Sequence, residues 1–223
     1  MRINLKESYL IAKTESHLGA ERLLLGQREI QTIKILAKEI GYKLSPNNVL
    51  LDLGCGDRFI EPTCKEEGWV YQGLDYTDLN FETDPFPIKD NSVDFAVSLA
   101  VIEHIRDPDS FISEVYRCLK PGGVIYLSTP NFRLDWKNFY NDPTHVKPYT
   151  PESLEFLLKL SGFLSVASFP GLRCKDISWY RGKNRFLKAY YFLPFRGDTV
   201  WPIPQFLRGH ARSVFALGRK PMQ

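Results

Sequence analysis

The sequence predicts an α/β fold with a doubly wound, mostly parallel sheet, and three observations carry that prediction. The apolar run Val49-Leu50-Leu51-Asp52-Leu53 breaks into a Gly54-Cys55-Gly56 turn. Further apolar, β-branched runs alternate with segments of helical periodicity. The second strand, like the first, ends in an acid, here Asp75.

Each element follows from local pattern. Ala20 to Ile40 carries Leu23, Leu24, Ile30, Ile33, Ala37 and Ile40 at near-helical spacing, with Gly41 as the stop. Val49–Leu53 is a strand apolar enough to be covered on both faces. Asp57 to Glu67 reads as a helix weakened by Pro62 and Thr63, and Trp69 to Asp75 as the second strand. Val93 to Leu99 is the next strand. Asp107 to Leu119 is a helix with Phe111, Ile112, Val115 and Leu119 on one face. Pro121-Gly122-Gly123 is a turn before the strand Val124 to Ser128. Thr150-Pro151-Glu152 starts a helix ending near Gly162, with a cap, a proline at the first position and an acid in the first turn. Phe163 to Phe169 and Ser213 to Leu217 read as closing strands.

With 223 residues, 43% of them hydrophobic, the chain can bury one substantial core. Cys55, Cys64, Cys118 and Cys174 form no Cys-x-x-Cys pair, which argues against zinc and disulfide frameworks and for a reducing compartment. No signal-like leader and no apolar run near roughly 18 residues is present, so a cytoplasmic location is expected, with peripheral membrane association left open. The net charge of +3 is unevenly spread. Residues 173–223 hold 11 Lys/Arg against Asp176 and Asp198, a local +9, while the rest holds 18 basic and 24 acidic residues, or −6. A basic C-terminal region on an acidic body points to an anionic partner.

The Gly54-x-Gly56 turn lets backbone amides approach a ligand. A dinucleotide fingerprint requires a third glycine where this chain has Phe59. Asp52 would repel a pyrophosphate and suits a cofactor with cationic groups, such as the ammonium or sulfonium of S-adenosyl-L-methionine.

Five motifs in order strengthen that choice: Leu-Asp-Leu-Gly-Cys-Gly (51–56), Gly-Leu-Asp (73–75), Phe-Pro-Ile-Lys-Asp-Asn-Ser-Val-Asp (86–94), Val-Ile-Glu-His-Ile (101–105) and Leu-Lys-Pro-Gly-Gly-Val-Ile-Tyr-Leu-Ser-Thr-Pro-Asn (119–131). In combination they resemble the class I S-adenosylmethionine-dependent methyltransferases, from about Val49 to Phe169 plus the last strand. The resemblance implies a Rossmann-like sheet of seven strands with an antiparallel last strand. It implies S-adenosyl-L-methionine as cofactor and S-adenosyl-L-homocysteine as product. Asp52, Gly54, Cys55 and Gly56 would hold the methionine end, Asp75 with Tyr76 the ribose, and Asp78 with Leu79 the adenine. Leu99 and Ala100 would lie under the sulfonium, and His104 beside the cofactor. Two departures stand out: Arg58 replaces a frequent third glycine, and only Tyr76 and Thr77 separate Asp75 from Asp78, so the usual intervening helix is missing or short. Glu103 and His104 alone do not make a magnesium site, and no metal site is expected.

An acceptor hydroxyl benefits from a base, and His145, in Asn141-Asp142-Pro143-Thr144-His145-Val146-Lys147-Pro148-Tyr149, is the candidate. Loop packing is its alternative role. Asp142, Lys147 and Tyr149 could orient it. The run from Asp142 to Leu154 resembles methyltransferases of bacterial cell-surface glycan and lipid-linked sugar pathways. One domain is expected, with residues 1–45 as a helical lid and 171–212 as a basic, aromatic insertion between the last two strands. The insertion interleaves Trp179, Tyr180, Tyr190, Tyr191 and Trp201 with Arg181, Lys183, Arg185 and Arg208, which suits a membrane interface, a sugar phosphate or single-stranded nucleic acid, with an extra core layer under a solvated basic face as the alternative. The expected activity is methyl transfer to oxygen of a sugar or lipid-linked anionic acceptor. The alternatives are a small-molecule quinone or secondary-metabolite methyltransferase and an inactive cofactor-binding regulator. Thr129-Pro130-Asn131 is no Asn-Pro-Pro-Tyr-type amine motif, which argues against a nucleic-acid acceptor.

Overall fold

A computed structural model describes residues 19–171, Tyr180 and 211–222. Among these, α1 (Gly19–Glu39), β1 (Val49–Leu53), α2 (Glu61–Glu66), β2 (Val70–Leu74) and β3 (Val93–Leu99) come first. A 3-10 turn (Ile102–His104), α3 (Pro108–Cys118), β4 (Leu119–Pro130), α4 (Phe132–Phe139), α5 (Pro151–Leu160), β5 (Leu164–Gly171) and β6 (Ser213–Arg219) follow. The sheet has the order β2-β1-β3-β4-β6-β5. Strands β2, β1, β3 and β4 run parallel, and β6 lies antiparallel between β4 and β5.

The sheet therefore has six described strands, not the seven expected. Between β2 and β3 the chain forms turns instead of an edge strand. Pro85 and Pro87 cannot donate to a ladder there. Phe81 and Phe86 instead insert as an edge-on cluster with Phe111 of α3, with ring centroids 5.6 to 6.0 Å apart. Arg117 secures this connection by donating to the Phe86 and Ile88 carbonyls while pairing with Glu114 and Asp90.

The strands fill the core: Leu50, Leu51 and Leu53 of β1, Phe95 to Val97 of β3 and Val124 to Leu127 of β4 are buried. Helix α1 packs Ile30, Ile33, Leu36 and Ala37 into it, while Leu23 and Leu24 are exposed. Helix α2 is shorter than expected, because residues 57–60 form turns before Glu61. The Pro121-Gly122-Gly123 turn is absorbed into β4 as an irregularity where the pairing with β3 shifts register. Helix α5 begins with the expected cap: the Thr150 hydroxyl accepts from the Ser153 amide, and Ser153 Oγ accepts from the Thr150 amide. Apart from Tyr180, residues 172–210, which make up most of the expected basic, aromatic insertion, lie outside the described residues.

Candidate active site

Burial dictates the chemistry at the end of β1. Asp52 is only 2% exposed, and its Oδ2 accepts from the Tyr71 hydroxyl at 2.7 Å. Desolvation pushes its carboxyl up to about 7, and the Tyr71 bond offsets part of that rise. Gly54 turns the chain with φ of 78°, and a Cβ there would run into Val101. Arg58, in place of a third glycine, adopts the left-handed region at φ 57°. The Gly54 and Cys55 amides donate to the Leu74 carbonyl, and the Gly56 amide donates to Asp75 Oδ2 at 3.1 Å. Burial pushes the Cys55 thiol up to about 11, so it stays protonated at neutral pH.

Asp75, at the end of β2, thus sits beside the glycine turn. Its Oδ1 accepts from the Tyr76 amide at 2.8 Å. A carboxylate oxygen has two lone pairs, so these bonds leave acceptor capacity for a pair of ribose hydroxyls. Asp78 Oδ2 accepts from the Asp75 amide at 2.8 Å, which closes the short turn that replaces the missing helix. Half-buried Leu79 packs against the core behind it. Gly73 lets β2 approach the turn, since a side chain there would meet Cys55 Sγ at 2.9 Å. These groups fit a cofactor carrying a ribose and a cationic end.

The end of β3 forms the floor of a cavity. Ala100 adopts the left-handed region at φ 57° and its amide donates to the Ser128 carbonyl at 2.8 Å. Leu99, Ala100 and Ser128 line the cavity with Phe59, Tyr180, Phe215 and, from α1, Arg28, Glu29 and Thr32. Its volume of about 100 Å³ suits the reacting end of a ligand better than a whole nucleotide. Glu29 Oε1 accepts from the buried Tyr126 hydroxyl at 2.9 Å, which fixes one carboxylate at the cavity wall.

His145 stands in a second group. Its Nδ1 is 2.7 Å from the Phe139 carbonyl, and its ring lies 4.8 Å from that of His104. His104 Nδ1 is 3.1 Å from the Thr144 carbonyl. Glu103, fully buried, accepts from Thr129 Oγ1 through Oε2. The Glu103 carbonyl accepts from the Val146 and Lys147 amides, which ties the 142–147 loop to the 3-10 turn. One ligating atom each from Glu103, His104 and His145 lies within 4.8 Å of the others.

The structure thus gathers Asp52, Gly54, Cys55, Gly56, Asp75, Tyr76, Asp78 and Leu79 around the ends of β1 and β2. Leu99 and Ala100 line the adjoining cavity, and His104 joins His145 instead of the glycine turn. Sequence reasoning missed Arg28 and Glu29. On a helix of alternating charge and hydrophobe, no local signal separates a cavity-facing acid from a solvated one. It also missed Tyr71, whose bond to Asp52 depends on strand register.

Residues 26–167 match the family model described as a methyltransferase domain. A probable S-adenosylmethionine-dependent methyltransferase of Mycolicibacterium smegmatis is 28% identical over 168 residues, covering 66% of this chain and 65% of that protein. A ubiquinone biosynthesis O-methyltransferase of Pelagibacter ubique is 30% identical over 104 residues, covering 38% of this chain and 43% of that protein. The matched span is thus less than two thirds of the length of these curated relatives. The crystal structure of a SAM-dependent methyltransferase from Archaeoglobus fulgidus superposes with a TM-score of 0.57 at 22% identity, covering 86% of this chain and 94% of that one. That likeness establishes the fold.

Proposed function

This chain belongs to the methyltransferase domain family, and from that premise we propose that it transfers a methyl group from S-adenosyl-L-methionine to an oxygen of a sugar or lipid-linked anionic acceptor. When bound, the cofactor supplies an electrophilic methyl carbon on a sulfonium. Asp75 accepts from the ribose hydroxyls, and the buried carboxyl of Asp52 backs the turn that receives the cationic end. The observation that carries this reading is the cavity where α1 covers Leu99, Ala100 and Ser128, with Phe59, three residues beyond the glycine turn, in its wall. It offers a place where an acceptor can be aligned with the donor. Arg28 in its wall supports an anionic acceptor. His145, whose Nδ1 is bonded to Phe139, prepares the acceptor hydroxyl through its other ring nitrogen.

A small phenolic or quinone acceptor is the second reading. It is favoured by the Pelagibacter relative's description and by the aromatic walls Phe59, Tyr180 and Phe215. A cofactor-binding regulator without turnover is a third. The experiment is incubation of the full chain with methyl-labelled cofactor and cell extract, followed by separation of lipid, glycan, nucleic-acid and small-molecule fractions. Label in the glycan or lipid-linked fraction supports the first reading. Label among small aromatic molecules supports the second, and no transfer despite cofactor binding supports the regulator. Among the described residues no helix is long and apolar enough to cross a membrane. Any membrane contact is assigned in this proposal to the basic segment 171–212.

A further inference from the structure

We propose that Glu103, His104 and His145, with Asp142 beside them, bind one divalent transition-metal ion of the zinc class. The three residues come from two chain segments about 40 positions apart, yet their ligating atoms converge to within 4.8 Å. Ligand atoms of a tetrahedral site with bonds near ~2.1 Å lie about 3.4 Å apart. Closing the site therefore draws each side chain inward by up to ~0.7 Å, within reach of small side-chain rotations.

The hydrogen bonds around the cluster select the ring nitrogens. A carbonyl only accepts, so the contacts of His104 Nδ1 with Thr144 O and of His145 Nδ1 with Phe139 O place the proton on Nδ1 in both rings. The Thr144 hydroxyl agrees: it donates to Asp142 Oδ1 at 2.5 Å and so accepts from His104 Nδ1 at 2.9 Å. In each neutral imidazole, Nε2 then carries a lone pair. This is the outer bonding that orients histidine ligands toward a metal. The carboxylate ligand is held in the same way, through the Thr129 hydroxyl on Glu103 Oε2.

Asp142 stands next to the cluster, with its Oδ2 3.6 Å from His145 Nε2, where it could add a fourth ligand. Two imidazoles with one or two carboxylates suit zinc, iron(II) or manganese better than magnesium, which prefers oxygen ligands.

The site lies on the connection that leaves β3 directly after the cavity residues Leu99 and Ala100. A metal there would lower the pKa of a coordinated acceptor hydroxyl, so that His145 prepares the acceptor as a ligand. This role rests on the methyl-transfer reading, whereas metal binding itself does not.

The test uses the full chain, stripped with a chelator, and Zn²⁺ alone as the probe. Competition against a chromophoric chelator should give one tightly bound ion per chain. His145→Ala and His104→Ala should each weaken it by more than the ~10–100-fold that loss of an outer-sphere partner costs. Nitrogen-15 spectra of histidine-labelled wild type need no variant. Two of the four histidines should shift at Nε2 on adding Zn²⁺ and keep their proton on Nδ1. No saturable binding, unchanged affinity in a folded His145→Ala variant, or an imidazolium untouched by Zn²⁺ would each overturn the proposal. S-adenosylhomocysteine binding, measured on the same samples, separates the two readings. Its presence without zinc binding leaves the methyl-transfer reading standing, and its absence with zinc binding leaves only the metal site.

Discussion

The Tyr71 hydroxyl donates to Asp52 Oδ2 across 2.7 Å, joining the centres of β1 and β2 beneath the glycine turn. Burial is the dominant influence on Asp52 and raises its carboxyl from 3.8 to about 7. The folded-state pKa thus lies above the unfolded one. Between these values the folded chain binds more protons than the unfolded chain, so stability falls as pH rises from about 4 to about 7 and levels off above. Urea denaturation across that range should show this descent, of at most about 4 kcal/mol, flattened in Asp52→Asn. An identical slope in the variant would mean that other groups govern it.

Gly54 combines φ of 78° with no room for a Cβ against Val101. Gly54→Ala should cost about 2–5 kcal/mol, from left-handed strain plus overpacking, measured as a lowered urea midpoint. A loss below 1 kcal/mol would show that Val101 yields freely.

His145 is tied to Phe139 and His104, apart from the glycine turn. His145→Ala should reduce turnover by ~100-fold or more while S-adenosylhomocysteine affinity stays within about twofold. Full turnover would reduce His145 to loop packing.

Arg28 lines the cavity from α1. Arg28→Glu should raise KM for an anionic acceptor by ~10-fold or more, through lost attraction and added repulsion, without changing cofactor affinity. Equal KM values for charged and neutral acceptors in both proteins would argue against an anionic substrate.

Much of this was legible because local patterns and the core agree. The burial of Ile30, Ile33 and Ala37 on α1 follows from spacing, and the Thr150 cap follows from side-chain chemistry. The extra edge strand was expected by resemblance, and Pro85, Pro87 and the pull of Phe81 and Phe86 into an aromatic cluster removed it. Helix α4 went unread because Asp135 interrupts its helical geometry and its amphipathic run is short. The meeting of His145 with Glu103 and His104 depends on backbone bonds from Val146 and Lys147 to the Glu103 carbonyl, which no sequence pattern encodes. Arg28 and Glu29 became site residues only once α1 was laid across the strand ends.

Whether the glycine turn and Asp75 bind the methyl donor is read from calorimetric titration of the full chain with S-adenosylhomocysteine, alongside Asp75→Ala. Wild type should show one micromolar-range site per chain, weakened at least ~10-fold in the variant by loss of charged hydrogen bonds to the ribose. No binding by folded wild type, or equal affinity in Asp75→Ala, would rule that site out.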